Sequence, residues 1–66
     1  MHGILLDMVD IRIHPTKKWE VSILEFQEDE VVRYKVTRRL SEMAVAETKI
    51  FSSKKEALHQ ADEWLS

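Results

Sequence analysis

The chain has 66 residues, 44% of them apolar and 33% charged, with ten basic against twelve acidic side chains and no cysteine. One domain of this length removes only about 60% of its unfolded surface from water, and without cysteine neither a disulfide nor a thiolate zinc site can add to its stability. The composition is too apolar for disorder, a net charge of −2 implies no strongly electrostatic partner, and no apolar run reaches membrane-spanning length. A soluble cytoplasmic protein is the expectation.

From Val9 the pattern alternates, with Val9, Ile11 and Ile13 on one side and Asp10, Arg12 and His14 on the other. That period of two reads as a half-buried strand. Met8 and the run Ile4–Leu6 either extend it or form a loose arm over residues 1–7; Asp7 and Asp10 interrupt the run before it could serve as a signal-peptide core. Pro15 ends the strand, because proline cannot donate to a ladder.

A second strand begins at Trp19. Trp19, Val21 and Ile23 point one way, Glu20 and Ser22 the other, and then Leu24 and Phe26 place apolar groups on the second side. Either a bulge near Ile23–Leu24 re-aims the strand, or both of its faces are partly buried. Gln27–Glu30 is an acidic turn without glycine.

Val31–Leu40 is rich in β-branched residues and reads as a third strand, with Val32, Tyr34 and Val36 opposite Arg33, Lys35, Thr37 and Arg39. Ser41-Glu42-Met43 breaks the run. Ala44–Phe51 then reads as a fourth strand with Ala44, Ala46, Thr48 and Ile50 facing in; a helical turn over 40–47, where helix formers gather, is the competing reading.

The last segment is helical. Ala57, Leu58, Ala61, Trp64 and Leu65 fall on one face, while Lys54, Lys55, Glu56, His59, Gln60, Asp62 and Glu63 take the other. Ser53 followed by Glu56 is the spacing of a capping box. The result is a single α+β domain over 1–66. A three- to four-stranded antiparallel meander (8–51) carries one C-terminal amphipathic helix (53–65) on one face, in the order β-β-β-β-α. Leu58, Trp64 and Leu65 are expected to pack on Val9, Ile11, Val21, Val32, Tyr34 and Val36, with Phe51 beneath the helix.

Catalytic and cofactor chemistry find little support. His2, His14 and His59 are too scattered for a metal site, and Glu56 with His59 has two-ligand spacing but no second helix to complete it. Asp7, Asp10 and Glu28–Glu30 lie in stretches that read as exposed, where carboxylates keep ordinary acidity. The single glycine excludes a glycine-rich phosphate loop, and Ser52–Ser53 before the helix is explained by capping without an anion. No enzyme, no metal and no cofactor is the reading.

Two surfaces remain. Leu24, Phe26 and Val31 have the wrong parity for the helix-covered face, and together with Ile4, Leu5 and Leu6 they form an apolar excess beside open strand edges. A self-associating protein-interaction module, a homodimer or a subunit-binding domain, follows from that excess, unless the amino-terminal run folds back over it. The alternative is a nucleic-acid-binding face made of Arg33, Lys35, Arg38 and Arg39, with Arg12 and Lys49 nearby. Cross-strand pairing with Asp10, Glu20 and Glu47 would neutralise it.

Trp19-Glu-Val and the ending Lys49-Ile-Phe-Ser-Ser-Lys-Lys-Glu-Ala57 give this alternative a resemblance. The sheet-then-helix layout resembles the arm-site DNA-binding domains of phage tyrosine integrases, which implies a three-stranded sheet laid in the major groove. The glycine-lysine turn of those domains is replaced here by Gln27–Glu30. Small antitoxin-like sheet-and-helix domains end similarly, but their proline-glycine segment is missing. Too few residues carry either resemblance to assign the chain to a family.

Overall fold

The computed structural model describes residues 4–40 and 45–66. It contains β1 (Ile4–Ile13), β2 (Trp19–Glu28), β3 (Val31–Leu40), β4 (Val45–Phe51) and α1 (Lys54–Leu65). The strands form one antiparallel sheet in the order β1-β2-β3-β4, and α1 lies on one face of it. The α+β meander expected from the sequence is the architecture observed. Residues 4–7 belong to β1 and not to an arm, and residues 45–47 are strand and not a helical turn. Ala44 and the Ser41–Met43 break lie outside the described residues.

Tight connections set the register. Asp29 and Glu30, between β2 and β3, both have positive φ (51° and 67°), the requirement of a two-residue type I′ hairpin, whose twist matches the strands it joins. Between β1 and β2, His14 Nδ1 accepts the backbone N–H groups of Thr16 (3.1 Å) and Lys17 (3.0 Å). The His14 N–H donates to the Trp19 carbonyl at 2.8 Å. One side-chain nitrogen thus satisfies two backbone donors of the turn that follows Pro15.

The core is thin. Val21, Ile23 and Val36 of the sheet and Ala57 and Ala61 of the helix are fully buried. Val9, Tyr34, Phe51, Leu58, Trp64 and Leu65 pack around them. Ala57 and Ala61, one turn apart, let the helix backbone sit close to β2 and β3. Length explains what is left uncovered. Twelve helical residues span about 18 Å, whereas ten strand residues span about 33 Å, so the end of the sheet near Ile4 and Val32 overhangs the helix. Val32, expected in the core, is 38% exposed for that reason.

Several expectations of facing are reversed. The ladder between β1 and β2 shifts at Leu5/Asp7 and again at Met8/Asp10. Each extra residue flips the side chains after it to the other face. Val9 therefore packs on the core, but Ile11 and Ile13 turn away from the helix and are 52% and 70% exposed. Arg12 takes the helix side, its guanidinium held by Asp10 (2.6 Å) and by Asp62 of α1 (2.5 Å). In β4, Phe51 is anchored in the core, so Lys49 and Glu47 share the helix side while Ala46, Thr48 and Ile50 face away. β2 itself carries no bulge: its register with β3 runs unbroken from Trp19 to Glu28, and Leu24 and Phe26 are half-buried on the side away from the helix.

Two details of the helix also differ. Ser53 is the N-cap residue in extended conformation, but its side chain makes no capping bond; the Ala57 N–H reaches the Ser53 carbonyl at 3.1 Å. Gln60, expected among the exposed polar residues, is buried and accepts a bond from Lys49 Nζ at 3.3 Å. The helix settles so deep on Ala57 and Ala61 that its flank is covered too.

Candidate interaction face

The face turned away from α1 is built by all four strands. β1 presents Leu5, Met8, Ile11 and Ile13; β2 presents Glu20, Ser22, Leu24, Phe26 and Glu28; β3 presents Val31, Arg33, Lys35, Thr37 and Arg39; β4 presents Ala46, Thr48 and Ile50. Leu5 pairs with Phe26, Met8 with Leu24, and Lys35 with both Leu24 and Ile50. An open trough of ≈ 390 Å³ on this face is lined by Leu5 of β1, Leu24, Phe26 and Glu28 of β2, Arg33 and Lys35 of β3, and Ile50 of β4.

All three residues singled out for interaction, Leu24, Phe26 and Val31, lie on this face. The amino-terminal run does not fold back over them. It continues β1 in the plane of the sheet, so that Leu5 stands beside Phe26 and stays 62% exposed. Sequence reasoning missed Ile11, Ile13 and Ile50 as members of the face. No local signal marks the Val9 bulge, because Val9 continues the alternation of Ile11 and Ile13.

The four basic residues proposed for nucleic acid are divided. Arg33, Lys35 and Arg39 share the open face, where Arg39 pairs across the ladder with Glu20. Arg38 is on the opposite side, between the Trp19 and Trp64 rings (4.6 and 4.8 Å to the centroids), and donates to Glu47 through Nε (3.0 Å) and Nη2 (2.6 Å). Arg12 and Lys49 also belong to the helix side, as do Asp10 and Glu47, which were expected to neutralise the basic row. Of the expected acidic partners only Glu20 faces it.

On the helix side, Tyr34 donates its hydroxyl to Glu25 at 3.0 Å. Accepting that proton's hydrogen bond, with desolvation and the nearby carboxylate charge adding to it, Glu25 holds the phenol above its usual range. A second cleft of ≈ 390 Å³ lies beside α1 and is lined by Phe51, Lys55, Glu56, His59 and Gln60. Among the described residues no group of three or more histidine, aspartate or glutamate side chains could hold a metal ion. No helix among them is long and apolar enough to cross a membrane. Set against known proteins, the chain matches no family model, no curated protein and no solved structure.

Proposed function

We propose that the protein is a small, non-catalytic interaction module of the cytoplasm that self-associates, and that the open sheet face receives a second copy of the chain. One observation carries the reading: Leu5, Met8, Ile11, Leu24 and Phe26 form an apolar patch across β1 and β2, Ile50 lines the same trough beyond Lys35, and among the described residues no second layer covers that face. Sheets in stable domains bury such a face against another layer. The dimensions suit a second copy. The molecule extends 38 Å by 24 Å along its two longest axes, large enough to hold a patch of the roughly 800 Å² that each partner of a standard interface contributes. Charge is mixed as well, with Arg33, Lys35 and Arg39 beside Glu20 and Glu28, so two copies meet without large like-charged fields.

Sedimentation of the whole chain tests this. Phe26→Asp and, separately, Ile11→Asp place a carboxylate on the face without touching the helix-side core, and each is expected to halve the mass. An unchanged mass in both variants ends the reading. The nucleic-acid alternative rests on Arg33, Lys35 and Arg39 standing on one face of one strand. Duplex DNA binding at low salt that Arg33→Glu with Lys35→Glu abolishes would favour it.

A further inference from the structure

The two edges of the sheet are unlike. β1 is interrupted twice, at Leu6 and Val9, and bulges of this kind twist an edge away from pairing. β4 pairs with β3 from Val45 to Phe51 without a shift, contains no proline, and exposes Ala46 through Ile50. No further strand pairs with it among the described residues.

We propose that β4 pairs antiparallel with β4 of a second copy, about a two-fold axis through Thr48. The sequence of the strand is complementary to itself in that register. Thr48 meets the partner's Thr48, Glu47 meets the partner's Lys49, and Ala46 meets the partner's Ile50. Each pair joins like with like or charge with countercharge, the combinations that stabilise neighbouring strands. The axis is perpendicular to the sheet, so both helices lie on one side and both open faces on the other.

Neighbouring registers are disfavoured by the same residues. Sliding by two positions, the smallest step that keeps the faces matched, puts Glu47 opposite the partner's Glu47 or Lys49 opposite the partner's Lys49. Both groups stand on the helix side of β4, where each keeps capacity for a further partner. Arg38 holds Glu47 on the helix side through one oxygen, Oε1. Lys49 gives one donor to Gln60 and has two more. The contact is isologous and closes at two copies, so it makes a dimer and not a fibre.

This contact is separate from the open face, and a charge exchange tells them apart. In the Phe26→Asp chain, which disables the face, sedimentation is expected to find a dimer held by β4 alone. Adding Glu47→Lys, or adding Lys49→Glu, sets like charges opposite one another twice and is expected to raise Kd on the order of tenfold or more. Mixing these two charge variants one to one restores opposite charges at both pairs and should restore the dimer as a heterodimer, with circular dichroism checking that each variant is folded. A monomeric Phe26→Asp chain, masses indifferent to the charge changes, or a mixture of folded variants that stays monomeric would each overturn the edge pairing. A wild-type dimer that Phe26→Asp alone dissolves would leave the open face as the contact and exclude β4.

Discussion

Arg38 stacks its guanidinium on the ring of Trp64, 4.8 Å from the centroid, and so joins the middle of the sheet to the last turn of the helix. The Trp19 ring lies 4.6 Å from the same group, and Glu47 accepts two bonds from it. One planar cation therefore links β2, β3, β4 and α1. Its position also removes Arg38 from the basic row of β3, which would otherwise read as a continuous surface.

Replacing Arg38 by alanine should lower stability by about 1–2 kcal/mol, allowing for a group that is partly exposed and screened. Arg38→Lys keeps the charge but loses the planar stack and the paired donors, so it should recover only part of that loss. Urea midpoints of the two variants measure this, and a lysine variant equal to wild type would show that charge alone matters.

Core energetics centre on the sheet more than on the large residues of the helix. Ile23 is 1% exposed, whereas Leu58 is only half-buried. Ile23→Ala should cost about 2–5 kcal/mol, against a total of about 5 kcal/mol for a domain of this size. Leu58→Ala, still partly in water in the folded state, should cost about 1–2 kcal/mol. Thermal melts in which Leu58→Ala is the more damaging change would contradict the observed burial.

The β2–β3 turn stores backbone strain. Glu30 has φ 67°, a region where a side chain costs about 1–2 kcal/mol and glycine costs nothing of that kind. Glu30→Gly should therefore raise stability by about 0.5–1 kcal/mol, since the unfolded chain also becomes more flexible. Asp29→Gly should gain less, because aspartate tolerates the left-handed region. A lower urea midpoint for Glu30→Gly would refute the turn geometry.

Tyr34 is the only tyrosine in the chain, so its ionisation can be followed directly by ultraviolet absorbance. Its bond to Glu25 raises the folded pKa above the ordinary value of 10.0. The contribution to stability is then complete below pH 10.0 and is lost as pH rises through the higher folded value. Glu25→Gln should bring the midpoint back toward the ordinary one. A wild-type midpoint at or below that of the variant would contradict the bond.

Element order, strand spans and the helix follow from local pattern: alternation in β1 to β3, β-branched residues in β3, and the spacing of Ala57, Ala61 and Leu65. Leu24 and Phe26 were also legible as misfits for the helix face, because a break in parity can be seen in the sequence itself. Facing in β1 and β4 was not. One extra residue at Val9 reverses Ile11, Ile13 and Arg12 together, and nothing beside Val9 marks it. Nor does β4 reveal that Phe51, and not Ile50, is its anchor until β3 aligns Phe51 with Tyr34. Period and propensity are properties of neighbours along the chain and determine which elements form. Which side of an element meets the helix depends on pairing across the sheet, where a single-residue shift exchanges inside for outside, and only the assembled structure decides that.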